Sequence, residues 1–354
     1  MRGDVLAPAT AAPLVFTEEW LAPLHRRFSG KHHYQISYVY GLATRPDAAA
    51  RRNEIETLVA QLPQRDRGML IPKLRSNENH REAYHELVLG ALLAQARVSA
   101  SYEELIGGLT PDWVVRDDGG RLLMVVEVLT ANQSESQADL QRAVSEILAR
   151  LQEIPSGLAL GIRTKVSDPP TDQRDLKQIE LGVRKWLAAG LPPVGASICV
   201  GGVTLVALAQ DLGWTGVQCI GPATAFRVDC AGLAKKISDK VKKYSSAVSA
   251  LRLPLVVAVI ADAATGHDVK TVDNVLNGHP TYECRFDKVS GEVLGTRFVG
   301  RNDALFHLTP GLSAVFSAWR VGDTWQLVVH RNPSASYPLV WESPAEWTLK
   351  SGGW

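Results

Sequence analysis

The stretch Leu109-Thr-Pro-Asp-Trp-Val-Val-Arg116, Asp117-Asp-Gly-Gly120, Arg121-Leu-Leu-Met-Val-Val-Glu-Val-Leu-Thr130 decides how this chain is expected to fold. Two runs of β-branched and apolar residues flank an Asp/Gly cluster, which is the pattern of a β-hairpin. A turn symmetric about Asp118-Gly119 sets Arg116 opposite Arg121 and Asp112 opposite Val125. Asp112 and Glu127 then share one face as diagonal neighbours, roughly 7–8 Å apart between α-carbons. A bulged three-residue turn would shift the parity and separate them. Two carboxylates on a face otherwise built of apolar residues are costly to hold ionised without a compensating cation or donors. Oxygen ligands so placed suit Mg²⁺ or Mn²⁺, which bind a few carboxylates and keep several waters. The plainer reading has Asp112 capping the strand after Pro111 and Glu127 at a solvated strand end.

Upstream of the hairpin, Asn79 is placed to cap a helix over Arg81 to Ala96. Glu82, Glu86, Leu89 and Leu93 run along it, and Ala83, Leu87, Gly90, Ala91 and Ala94 form its close-packing stripe. Further upstream, helical patches alternate with Pro and Arg clusters, giving a helical N-terminal extension. Downstream, Gln137 to Glu153 show a helical apolar face, and Leu158 to Ile162 read as a buried strand. A helix near Asp175 to Ala189 and strands within Ser197 to Ala209 follow, then a Lys-rich helix from Leu233 to Tyr244 and a strand Leu255 to Ile260. The tail is β-rich, with Ser313 to Trp319 and Trp325 to His330 flanking Gly322-Asp323. The expected class is mixed α/β.

Composition narrows the function. The 354 residues are 45 % hydrophobic, ample for a core, which excludes collagen, rods and disordered tails. Lys and Arg number 38 against 37 Asp and Glu, a net charge of +1, so nucleic acid could be held only by a local patch. Cys199, Cys219, Cys230 and Cys284 form no Cys-x-x-Cys pair, which argues against structural zinc and against a disulfide scaffold. The start, Met1-Arg-Gly-Asp4 followed by Pro8 and Pro13, does not read as an export signal, and no run reads as a membrane span. The expected location is the cytoplasm. No Walker A sequence is present.

The helix bearing Glu86, the Pro111-Asp112 strand, the Val125-Val-Glu-Val128 strand, a helix and another strand together resemble the core of the PD-(D/E)xK nuclease superfamily, the restriction-endonuclease-like fold. The resemblance covers Asn77 to Thr164 and implies a mixed sheet flanked by helices, with Glu86, Asp112 and Glu127 as ligands of Mg²⁺ or Mn²⁺. Leu74-Arg-Ser76, Lys243-Tyr244, Pro254-Leu-Val-Val-Ala258 and Asn332-Pro-Ser-Ala335 resemble a bacterial branch of that superfamily with a variant third motif and no assigned substrate. The implied division is 1–76 as N-terminal helical extension, 77–280 as nuclease core with α/β elaboration, and 281–354 as a β-rich C-terminal region.

One position departs from the pattern. The family's third motif residue is a lysine two positions after the acid, and here that position is Leu129. A leucine cannot orient a water or offset developing phosphorane charge. Members of the superfamily relocate that residue or replace it by glutamine, which makes Gln141 the expected substitute, with Gln137 and Lys165 behind it. Equally, Leu129 fits an inactive site.

Lys236, Lys240 and Lys243 fall on one face of the Lys-rich helix at spacings of four and three, a stripe able to track phosphates or simply to stay solvated. The expectation is therefore a Mg²⁺-dependent nuclease acting on DNA, with RNA as the second candidate, in a role such as defence against foreign DNA. The rival is an inactive module of the same fold that binds nucleic acid or a protein partner. The sequence is silent on homo-oligomerisation.

Overall fold

The computed structural model describes residues 12–30, 36–96, 98–130, 146–147, 150–151, 153–163, 173–210, 217–220, 230–261, 269–286, 293–302, 304–322, 324–341 and 346–350. Contacts divide the chain into two compact units, one of Met1–Pro23, Tyr38–Ala131 and Arg227–Trp354, the other of Leu24–Ser37 and Asn132–Phe226. The expected three-part division at 76 and 280 follows the chain, whereas these units interleave in sequence.

The first unit is mixed α/β. Its sheet takes β1 (Ser99–Tyr102), β2 (Trp113–Arg116) and β3 (Leu122–Thr130) early in the chain. The rest comes from the last third, namely β8 (Leu255–Ala261), β11 (Ala314–Val321), β12 (Thr324–Arg331) and β13 (Glu346–Lys350), in the order β1-β2-β3-β8-β11-β12-β13. The β1-β2 and β2-β3 pairs are antiparallel, while β8 runs parallel to both β3 and β11. A parallel neighbour requires a crossover, and the helix Cys230–Leu251 precedes β8. β8 is buried along its whole length, as a central strand covered on both faces must be. The strands β9 (His279–Phe286) and β10 (Val293–Asn302) form a separate antiparallel pair.

Two helices cover the strands that matter for the site. Val125 and Leu129 of β3 join Leu233, Ile237, Val241 and Tyr244 of the Lys-rich helix in one apolar cluster. On the other face lies the helix His80–Gln95, where a close approach dictates a glycine. A Cβ added at Gly90 would stand 2.3 Å from Cζ2 of Trp113, so only glycine lets the helix settle on that indole. Asn79 does not cap this helix through its side chain as expected. Its amide turns to Ser76 Oγ at 3.3 Å, and backbone bonds close the first turn instead. His80 and His85 are buried packing residues, bonding the Leu74 carbonyl and Thr130 Oγ1.

In the second unit, β4 (Ala159–Arg163), β5 (Ser197–Val200), β6 (Val203–Ala209) and β7 (Gln218–Ile220) form a sheet in the order β5-β6-β4-β7. Helix Gln173–Ala188 packs Leu176, Ile179 and Val183 into its core with Leu160, Ile162, Val203 and Leu205. This corrects the expected core order. The strand at Leu158 to Ile162 exists but belongs to this other sheet, and in the first unit the helix and strand that follow β3 are Cys230–Leu251 and β8. Gln137, Gln141 and Lys165 lie outside the described residues, as does most of the expected helix Gln137 to Glu153.

Candidate functional site

The hairpin register sets the acids. Val114 pairs with Val125 and Trp113 with Val126, two residues away from the symmetric expectation. A three-residue turn, closed by Asp117 N donating to the Arg121 carbonyl and braced by Asp117 Oδ1 accepting from Gly119 N and Arg121 N, shifts the register by one residue, and the irregularity between Val115 and Arg116 shifts it by one more. The slip is an even number of residues, so faces are preserved. Continuing the register by one residue puts Asp112 opposite Glu127 rather than diagonal to it. Asp112 Oδ2 accepts the Val128 N–H at 2.6 Å, which fixes that carboxylate against the neighbouring strand.

Glu127 is only 1 % exposed, and its Oε2 accepts from Lys240 Nζ at 2.6 Å, with Lys243 Nζ at 4.0 Å. Among the described residues, Oε1 of Glu127 is buried without a hydrogen-bond partner. Of the three stripe lysines, Lys240 thus faces into the site, Lys243 reaches its rim over the Tyr244 ring at 4.6 Å, and Lys236 is exposed. Burial, then the Glu127 carboxylate beside it, raise the Tyr244 phenol above its ordinary range, and its hydroxyl donates to the Thr110 carbonyl.

Glu86 is supplied by the helix His80–Gln95, which packs on Trp113. Its backbone carbonyl accepts from Trp113 Nε1 at 3.0 Å, so the indole that Gly90 admits also anchors the helix at this residue. Its Oε2 accepts from the Tyr102 hydroxyl, and Lys73 Nζ lies 3.7 Å from the same oxygen. Burial raises the Glu86 carboxyl, opposed by the Tyr102 bond and the Lys73 charge. Asp112 is raised to about 7, by burial first and then by the Glu127 and Glu86 charges, against the Val128 bond and Lys240.

Asp112 thus feels the charges of both other acids. The three do not close into a ready ligand set: among the described residues, no three His, Cys, Asp or Glu side chains converge as a metal-binding group. Glu86 is turned to Tyr102 and Lys73, and Glu127 to Lys240. Leu129 is buried in the apolar cluster under the Lys-rich helix. Sequence reasoning missed Lys73, Tyr102 and Glu103 altogether, and it treated Lys240 as a surface residue. Lys240 did carry a signal, since it stands in register with Ile237, Val241 and Tyr244, the buried face of its helix.

No helix among the described residues is long and apolar enough to cross a membrane. Compared with protein-family models, with curated proteins and with solved structures, the chain has no significant match.

Proposed function

We propose that this chain is a Mg²⁺-dependent phosphodiesterase of the PD-(D/E)xK type acting on DNA, with RNA as the alternative polymer. The observation that carries the reading is Lys240 on Glu127: an ammonium stands beside the strand acid although Leu129 occupies the family's lysine position. Support also comes from element order, for a helix with Glu86, the edge strand β1, the hairpin strands that follow Asp112 and carry Glu127, a crossover helix and a parallel strand come in this order once Asn132–Phe226 is set aside.

The donor types suit a hard divalent cation, although the three carboxylates do not converge in this structure. Among the described residues Glu127 Oε1 is a buried carboxylate oxygen with no hydrogen-bond partner, and Asp112 carries a proton affinity raised by burial first and then by two like charges that a cation would relieve. Asp112 and Glu127 would hold the ion with Glu86 as third ligand. When bound, Mg²⁺ or Mn²⁺ supplies Lewis-acid charge for the phosphoryl group and the attacking water. Lys240 then offsets charge developing on the phosphoryl oxygens, work in which a preorganised donor is worth about 3 kcal/mol. Lys243 and Lys236, both exposed, extend a positive track along the same helix toward the flanking phosphates.

The pairing of both Glu86 and Glu127 with lysines favours a second reading, an inactive module that uses its lysines as fixed counter-ions and binds nucleic acid or a protein partner. Calorimetry with Mg²⁺ and Mn²⁺, run beside cleavage of duplex DNA, single-stranded DNA and RNA, separates the two. The nuclease reading expects millimolar or tighter binding, with both binding and cleavage lost in folded Asp112→Ala and Glu127→Ala. No metal binding by the wild type, or wild-type cleavage by Asp112→Ala, would overturn it.

A further inference from the structure

On the Glu86 side the structure gathers a second group of polar side chains. Lys73, on the helix Gln64–Leu74, places Nζ 2.7 Å from the Tyr102 hydroxyl and 2.7 Å from Glu103 Oε1. Tyr102, fully buried at the end of β1, donates to Glu86 Oε2. Glu103 sits at φ +44, a left-handed conformation that L-residues other than Asn and Asp seldom adopt, and strain of this kind tends to collect at working sites. Its backbone N–H donates to the Asp112 carbonyl at 3.1 Å while its carboxylate holds Lys73. Glu103 therefore ties the residue before Trp113 to the ammonium that steadies Glu86.

A half-exposed Lys-Glu pair adds little stability by itself. This one is held by a strained backbone and bridges two proposed metal ligands, one through Tyr102 and one through the main chain. Resting on the nuclease reading above, we infer that Lys73, Tyr102 and Glu103 are positioning residues that fix Glu86 relative to Asp112 for divalent-cation binding. The N-terminal helix Gln64–Leu74 is thereby part of the working centre and not an appendage to it.

The test must conserve charge, since deleting Lys73 alone would strengthen cation binding by removing a neighbouring positive charge. Two variants do so: Tyr102→Phe, and Lys73→Met combined with Glu103→Gln, which exchanges an ion pair for neutral groups. Mg²⁺ dissociation constants are read by calorimetry on the full chain, with circular dichroism confirming the fold. Partners that orient metal ligands are worth about 10–100-fold in affinity, and a weakening of about tenfold is expected in each variant. The Mg²⁺ concentration for half-maximal cleavage should rise in step, with a much smaller drop in rate at saturating Mg²⁺. Lys73→Arg should stay near wild type. If both charge-conserving variants bind Mg²⁺ within twofold of wild type, the positioning role is refuted while the nuclease reading stands. Should the wild type bind no Mg²⁺, both fall together.

Discussion

Lys240 Nζ and Glu127 Oε2 meet at 2.6 Å across 113 positions of the chain, joining the Lys-rich helix to the strand that carries the buried acid. Among the described residues Glu127 has no other cation as near, since Lys243 stands at 4.0 Å. Removing one partner of such a pair strands the other charge in the interior, whereas removing both does not.

Lys240→Met should accordingly lower stability by roughly 1–3 kcal/mol without divalent cations. Added Mg²⁺ should return part of that loss. Lys240→Met with Glu127→Leu should come closer to the wild type than Lys240→Met alone. Urea unfolding of the three proteins gives the comparison, and an unshifted midpoint for the single variant would contradict it. Cleavage by Lys240→Met should fall by about 100-fold or more.

At Leu129 the structure fixes the sign of a substitution that sequence left open. The side chain packs with residues of the Lys-rich helix, and Glu127 already has an ammonium beside it from Lys240. Leu129→Lys buries a second positive charge without a partner and should cost roughly 2–4 kcal/mol while weakening Mg²⁺ binding. Single-turnover cleavage with metal titration reads the outcome. A gain of cleavage would show that Lys240 does not serve the reaction.

Gly90→Ala tests how Glu86 is placed. The added methyl would meet Trp113 Cζ2 at 2.3 Å and Cη2 at 2.5 Å, and Trp113 is itself buried. Overpacking costs roughly 1–3 kcal/mol, more than the gain of about 1 kcal/mol in helix propensity. The expected result is a lower thermal midpoint together with weaker Mg²⁺ binding, because the helix must lift away from the indole that anchors the Glu86 carbonyl. A stabilised variant would mean the ring has room to move.

His85 should make stability depend on pH. Burial, then the charges of Arg81, Arg51 and His80, push it down to about 3, far below the 6.5 of an unfolded chain. Between those values the unfolded state binds the proton and the folded state does not, so stability falls as pH falls. From pH 7 to pH 5 the wild type should lose about 2 kcal/mol on this account. His80, also lowered by burial, adds in the same direction. His85→Gln, which keeps a partner for Thr130, should flatten the pH dependence in urea titrations at the two pH values, and an unchanged slope would dismiss the effect.

Local patterns made much of this fold readable. The helix His80–Gln95, both hairpin strands, the Lys-rich helix and β8 follow from apolar periodicity and turn residues alone, and the common face of Asp112 and Glu127 follows from strand parity. β1 escaped because Ser-Ala-Ser-Tyr is a short edge strand without alternation, and Tyr102 escaped with it. The register lies two residues from the symmetric expectation because a three-residue turn and a bulge each add one, and neither has a signal beyond the Asp/Gly cluster itself. Choosing a helix and strand directly after β3 was natural, since neighbours in sequence usually pack together. Here a whole second unit intervenes, and no local signal says which helix returns. For the same reason the ammonium beside Glu127 was sought on nearby residues and found on a distant one.

That arrangement has a consequence in time. Glu127 leaves the ribosome 113 residues ahead of Lys240, an interval of about ten seconds at ordinary rates of synthesis. Until then β3 has β2 beside it but neither β8 nor the helix that covers its acid face, so Glu127 stays hydrated and both strand acids lack the Lys240 ammonium. The arrangement around Glu127 is thus complete only when the last third of the chain closes the sheet.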